Sequence, residues 1–223
     1  QMNRAVQQMY GKPKPVRLSN NSMAIIPSYN QPSLKRAAPQ EVNYVDLPQA
    51  SYNLDTNGTV TLLAIISQGA SVNQRIGKRA YLKSLLIRGL AFSGTATTIC
   101  DAIFLIVYDK RPTGALPAIT DILTAVQPSA FMNDNNTGRF EIIRRSDFNL
   151  IGNQTTPTTG SEAVNVDMFI PLKQRPITFE SAGTGAIGDI DSGALYLVTL
   201  SSVGPGTGAG FLRVACRTRF TEK

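Results

Sequence analysis

The chain contains no histidine, no tryptophan and only two cysteines. Without histidine it lacks the commonest general base and the commonest metal ligand. A Ser-His-Asp triad, a Cys-His dyad and any His-containing zinc site are therefore excluded. Cys100 and Cys216 lie far apart, each inside an apolar strand pattern. We read both as buried free thiols, and a bridge between them would require neighbouring strands. Two cysteines without a CxxC make neither a zinc site nor a disulfide scaffold. No run reaches the ~18 apolar residues of a membrane span, and the start shows no signal-peptide pattern. The sequons at Asn20, Asn57, Asn135 and Asn153 are accordingly expected to be idle. No membrane partner, metal or cofactor is expected. The chain opens on Gln1 rather than Met, so we expect further residues upstream.

Acidic residues are missing from one region. Between Gln1 and Gln40 there are six cations (Arg4, Lys12, Lys14, Arg17, Lys35 and Arg36) and no Asp or Glu. These account for most of the formal charge of +7. From residue 41 onward, 16 basic side chains face 15 acidic ones. The basicity thus belongs to a tail, and the body is nearly neutral. The tail carries Pro13, Pro15, Pro27, Pro32 and Pro39, which favour extended structure and block helix. We divide the chain into a basic arm, 1–40, and a body, 41–223, with Glu41–Leu54 as a transition piece.

The body reads as all-β. Pro and Gly fall between apolar runs rich in Leu, Ile, Val, Phe and Tyr. Eight strands are expected: Thr59–Ser67, Tyr81–Ser93, Ile99–Tyr108, Phe140–Leu150, Val164–Leu172, Ile177–Glu180, Ala194–Ser202 and Phe211–Phe220. Ile99–Tyr108 holds one charge, Asp101, and is too apolar to have a wet face, so it belongs mid-sheet in a two-layer structure. The last strand alternates. Leu212, Val214, Cys216, Thr218 and Phe220 point one way, and Arg213, Ala215, Arg217 and Arg219 the other. That stripe of arginines is either a nucleic-acid contact or a solvated face balanced by nearby acids. The longest insertion, Asp109–Arg139, is expected to hold a short helix, Asp121–Val126, capped by Thr120. Eight strands in two layers of four is the jelly-roll count. At this length roughly 70% of the unfolded chain's surface can be buried, enough for a core without staples.

Several motifs resemble a known family. The turn Arg75-Ile76-Gly77-Lys78-Arg79 precedes a strand carrying Lys83-Ser84, and the next strand ends in Tyr108-Asp109-Lys110-Arg111-Pro112 and Gly114. Ile122-Leu123, Pro128-Ser129-Ala130, Asn133-Asp134 and Ala194-Leu195-Tyr196-Leu197 follow, and then the basic last strand. In order and spacing, from about Thr59 to Phe220, this resembles the coat proteins of geminiviruses and related circular single-stranded DNA viruses. Those proteins usually carry several His and Cys and a longer, more basic amino end, so this chain is expected to be a divergent relative.

The resemblance implies an eight-stranded antiparallel jelly-roll subunit that self-assembles into a small icosahedral shell around single-stranded DNA. It implies a basic arm that binds the genome and is read by host nuclear import machinery, with the virion and the host nucleus as locations. The matching arm positions are Arg4, Lys12, Lys14, Arg17, Lys35 and Arg36. Arg75, Lys78 and Arg79 of the turn and Arg213, Arg217 and Arg219 of the last strand are further nucleic-acid candidates. Charge alone does not separate DNA from RNA; the resemblance points to DNA. Tyr10, Tyr29 and Tyr44 stand among the cations, and each either stacks on unpaired bases or packs elsewhere.

Other patterns lead less far. Gly183-Thr184-Gly185-Ala186-Ile187-Gly188 matches GxGxxG, but Asp189-Ile190-Asp191-Ser192-Gly193 follows, a turn where a dinucleotide site needs a helix. Asp189 and Asp191 hint at a calcium loop, yet the closing-Glu position is Leu200, which excludes an EF-hand and leaves open a looser site at a subunit contact. The alternative function is an oligomeric jelly-roll module that binds a carbohydrate or protein ligand. It calls for a concave aromatic face, which a chain without Trp supplies poorly. An enzyme is not expected, because no carboxylate pair or nucleophile constellation is evident.

Overall fold

A computed structural model describes residues 42–94, 99–151, 163–180, 183–206 and 209–222. The arm, 1–40, lies outside the described residues. The described residues form nine strands: β1 (Asn43–Leu54), β2 (Thr59–Leu62), β3 (Arg79–Phe92), β4 (Ile99–Asp109), β5 (Phe140–Ile151), β6 (Ala163–Phe179), β7 (Ile190–Ser192), β8 (Ala194–Ser201) and β9 (Gly210–Thr221). They form two antiparallel sheets, ordered β1-β9-β3-β6-β7 and β2-β8-β4-β5. Setting aside the three-residue β7, the orders are first-eighth-third-sixth and second-seventh-fourth-fifth, the double Greek key of a jelly roll.

The eight expected strands are thus constituted differently. Glu41–Leu54, read as a transition, contains the edge strand β1, whose ladder with β9 slips between Leu47 and Ala50. Val164–Leu172 and Ile177–Glu180 are one strand. β6 continues through a bulge in which Lys173 and Gln174 adopt left-handed backbone, φ 52° and 57°, opposite the Leu82/Ser84 slip of β3. The strand expected over Thr59–Ser67 stops at Leu62, although Leu63 still donates its N–H to Leu195 O. The short helix is α1 (Ile119–Ile122), not Asp121–Val126. Asp121 rather than Thr120 serves its start, accepting from Ala118 N at 2.9 Å, and Leu123 turns extended to bridge Met132.

The core lies between the sheets. Leu82, Leu85, Ile87, Leu212, Val214 and Phe220 of the five-stranded sheet are buried, as are Phe104, Ile106, Tyr196 and Val198 of the other. β4 sits between β8 and β5, where its lack of a wet face requires it to be. Every residue of β8 is buried, as is β4 from Ala102 to Asp109, so the centre of the four-stranded sheet is covered outside as well. α1 contributes to that cover. A Cβ on Gly58 would lie 2.0 Å from Ile119 Cδ1, and 3.4 Å from Leu200 Cβ. Among the described residues, none covers the five-stranded sheet in this way. Its strands alternate buried with exposed residues, most regularly β9. Cys100 and Cys216 sit in opposite sheets as free buried thiols. Burial pushes Cys216 up to about 12, which leaves it an unreactive packing residue.

Candidate nucleic-acid interface

The alternation of β9 places Arg213, Arg217 and Arg219 on the uncovered face of the five-stranded sheet. Their surroundings differ. Arg217 makes two hydrogen bonds of 2.7 Å to the Asp46 carboxylate on β1, and its guanidinium lies 4.5 Å over the Tyr44 ring. The Arg217 hydrogen bond holds the Asp46 carboxyl below its usual range. Arg213 donates to Ser51 Oγ at 3.2 Å and lies 5.3 Å over Phe92. Arg219 is exposed and has no carboxylate partner among the described residues. The reading of the stripe as balanced by acids therefore holds for Arg217 and not for Arg219.

Pairing extends the face. Arg219 stands opposite Tyr44 of β1 on one side and Ser84 of β3 on the other. Arg217 stands opposite Leu86, which is itself opposite Phe169 of β6. A shallow groove of about 580 Å³ results, lined by Val42, Tyr44, Lys83, Ser84, Phe169, Arg217 and Arg219. All its charged residues are cations. Tyr44 is 36% and Phe169 64% exposed. The pleat puts Arg79, at the start of β3, on the same face as Lys83. Across β1, β9, β3 and the Ala163–Pro171 part of β6, outward Arg79, Lys83, Arg88, Arg213, Arg217 and Arg219 face only Asp46 and Asp167. Arg88 is occupied by Asp167 at 3.2 Å in an exposed pair, worth little in stability. The face keeps a net of four positive charges, although the body as a whole is neutral. Phe169 was not among the residues singled out from sequence, and Lys83 entered only as part of the Lys83-Ser84 motif, not as a nucleic-acid candidate. Each stands as one polar or aromatic residue in an apolar run, and only cross-strand register brings them beside Arg219.

The basic turn divides by burial. Arg75 is fully buried, its guanidinium 4.0 Å from the Phe179 ring centre and donating to Gly77 O at 2.7 Å. Burial lowers its pKa, opposed by Asp189 and Glu222. It holds the turn together and presents no charge at the surface. The Glu222 carboxylate accepts from Ile76 N at 2.9 and 3.0 Å and from Gly77 N at 3.1 Å, so the end of the chain clasps the turn. Lys78 and Arg79 remain exposed. The exit motif after β4 is likewise structural. Asp109 is fully buried and receives Arg139 Nε at 3.1 Å and Nη2 at 2.9 Å, and Arg111 N at 2.9 Å. This pins both ends of the long insertion. Tyr108 donates to Pro176 O at 2.6 Å, and burial pushes its phenol up to about 12.

Gly183–Gly188 forms a turn closed by Asp189, which accepts from Gly185 N at 3.0 Å and Thr184 Oγ1 at 3.3 Å. Only a one-turn 3-10 segment, Ile187–Asp189, follows, so no dinucleotide site is built there. Among the described residues no group of three or more Asp, Glu or Cys could hold a metal ion, and no helix is long and apolar enough to cross a membrane. Arg4, Lys12, Lys14, Arg17, Lys35 and Arg36, with Tyr10 and Tyr29, lie outside the described residues.

Comparison with known proteins decides the lineage. The profile of the geminivirus coat protein/nuclear export factor BR1 family matches residues 2–222. The chain belongs to that family. A curated relative, the capsid protein of Miscanthus streak virus (isolate 91), is 26% identical over 160 residues, covering 64% of this chain and 63% of that protein. The match thus spans somewhat less than two thirds of the relative's length. Among solved structures, Desmodium yellow mottle tymovirus aligns at TM-score 0.33 and 13% identity over 95% of this chain and 96% of that chain. Infectious bursal disease virus, Gx strain, aligns at 0.31 and 14% over 95% and 37%. The divergence expected from the missing histidines agrees with the 26% identity.

Proposed function

We propose that this chain is a viral coat protein whose copies assemble into a small icosahedral shell and package single-stranded DNA. The observation that carries the reading is the one-sided charge of the body. In a nearly neutral body, the outer face of the five-stranded sheet carries four cations without a carboxylate partner among the described residues, Arg79, Lys83, Arg213 and Arg219, beside the exposed rings of Tyr44 and Phe169. The capsid protein from Miscanthus streak virus supports it as a relative. Packaging requires neutralisation of phosphates and no reading of bases. The six arm cations supply the larger part, and Arg79, Lys83, Arg213 and Arg219 the rest. Tyr44 and Phe169 are placed to stack unpaired bases, a contact every base accepts. The near-neutral remainder lets subunits touch without like-charge repulsion. The arm also serves as the segment read by host nuclear import machinery, so the protein works in the host nucleus and in the virion.

The alternative of an oligomeric module that binds a carbohydrate or protein ligand is less favoured, since Tyr44 and Phe169 stand among cations rather than on a concave aromatic face. The test is a salt titration of single-stranded DNA binding. Six arm contacts give a slope of log K against log salt of roughly −4, and the sheet-face cations steepen it. A slope near zero would sink the packaging role.

A further inference from the structure

We infer that Phe131 is a preformed knob that enters the groove between β5 and β6 on a second copy of this chain. The inference rests on the shell reading above and names the contact that would build it. Phe131 is 82% exposed, more than any other large apolar side chain among the described residues. A lone exposed apolar residue is ordinary. The backbone that carries this one is not. Phe131 O accepts from Thr124 N at 2.9 Å and from Thr124 Oγ1 at 3.4 Å. Its neighbours Ala130 and Met132 are turned into the body. Arg145 donates to Ala130 O at 3.3 Å and also to Pro128 O. Asn133 donates its N–H to Ile122 O at 2.9 Å and its side-chain amide to Thr120 O at 3.0 Å. The ring is therefore held out by a fixed frame, and docking it orders little that is not already ordered, the condition for an energetically dominant contact.

The receiving site lies on the side of the sandwich where β5 and the first part of β6 have no outer neighbour among the described residues. Along Ala163–Ile170, β6 has β3 on one side and no described strand on the other, and β5 is the last strand of its sheet. Between them is a groove of about 580 Å³ whose apolar lining includes Ile142, Ile143, Met168 and Ile170. Strand addition is disfavoured there. β5 bulges at Ile143 beside Arg144, and β6 carries Pro171 and the left-handed Lys173-Gln174 pair. A side chain, rather than a strand, suits such a groove. Charge selects the same partner. Arg144 and Lys173 line the groove with no ion-pair partner among the described residues, and exposed Asp134, three residues after Phe131, has none either. A knob and a socket at different places on one subunit make a heterologous contact, the kind that propagates into rings.

The experiment mixes two full-length variants, Phe131→Cys and Ile143→Cys, under conditions in which the wild type assembles, and oxidises the mixture with diamide. Cys100 and Cys216 are buried and serve as the silent background. A disulfide-linked heterodimer, absent from either variant alone and from disassembled subunits, is expected. Assembled variants that give no heterodimer, or a Phe131→Cys homodimer instead, overturn the inference. In parallel, Phe131→Ala should raise the concentration for half-assembly about tenfold or more with its melting temperature unchanged. Asp134→Lys should weaken assembly, and Arg144→Glu in the same chain should restore it. A wild type that never assembles removes the shell reading itself. A wild type and Phe131→Ala that assemble alike remove only this contact.

Discussion

The two sheets of this sandwich have the same jelly-roll pairing and opposite fates at their outer faces. The four-stranded sheet is closed on both sides along its two central strands, β8 and β4, while its edge strand β5 mixes buried with exposed residues. β8 is buried at every position, and Ile119, Ile122 and Leu123 from the long insertion lie within the core cluster. The five-stranded sheet buries only every second residue and presents Arg79, Lys83, Arg213 and Arg219 outward. The difference arises in the sequence. A strand with no polar residue over five or more positions must be covered twice, whereas an alternating strand needs a single neighbour. If stability resides chiefly in the covered centre of one sheet and, as proposed above, nucleic-acid contact in the other, substitutions in each should fail in separate ways.

The largest effect is expected from Leu105→Asp. It buries a charge with no partner in the central strand of the closed sheet, where Leu105 is fully buried. No folded protein should be recovered, and a soluble variant with the wild-type circular dichroism would refute the assignment of β4 to the sheet centre. Asp109→Asn comes next. It leaves the Arg139 guanidinium beside a neutral amide at the root of the insertion, and denaturant unfolding should show a loss of about 3 kcal/mol. Both should leave the open face without a specific phenotype beyond the loss of folded protein.

On the open face the expectation reverses. Lys83→Ser with Arg219→Ser should leave the unfolding midpoint within experimental scatter and make the salt slope of DNA binding shallower by about 1.4. Substituting the six arm cations by Ser should likewise spare the fold and remove most of the packaged nucleic acid. Unaltered packaging would contradict the arm's role. Phe169→Ala should weaken single-strand binding by about 1–3 kcal/mol if it stacks one base, while a purely electrostatic face would not register the change.

The smallest effect concerns acid. The Glu141 carboxyl is held below its ordinary 4.5 by its hydrogen bonds with Arg175, and Asp46 below 3.8 by Arg217. For a carboxylate depressed by folding, the stabilisation is complete above the unfolded-state value and is lost as pH falls through the lower folded-state value. Glu141→Gln should therefore be less stable than wild type at pH 7 and converge on it as the pH falls through the depressed folded-state value, below 4.5. A difference that persists unchanged in strong acid would mean that the pair's contribution is not ionic.

The contrast between the sheets was partly readable from residues alone. β4 declared itself by its continuous apolar run, and β9 by its strict alternation, which also placed all three arginines on one face. β1 did not, because its inward residues are widely spaced and interrupted at Pro48 and Gln49, where the ladder slips. β6 was hidden by Pro171, Pro176 and the Lys173-Gln174 bulge, which together read as a turn between two strands. Arg75 was misjudged for a plainer reason. A buried arginine carries the same letter as an exposed one, and only its stacking on Phe179, a residue 104 positions away in sequence, removes it from the surface. Phe169 escaped notice, and Lys83 was read only as part of a motif, because their partnership with Arg219 exists only across the β6–β3–β9 ladder.

The central claim, that the open face and the arm together hold nucleic acid inside a shell, is tested most directly on the purified wild-type protein. Negative-stain microscopy would be combined with the 260/280 nm absorbance ratio of the same sample. Uniform small particles with a high ratio that falls after the arm cations are replaced by Ser are predicted. Monomers under every condition of salt and pH, or particles whose ratio shows protein alone, would contradict it.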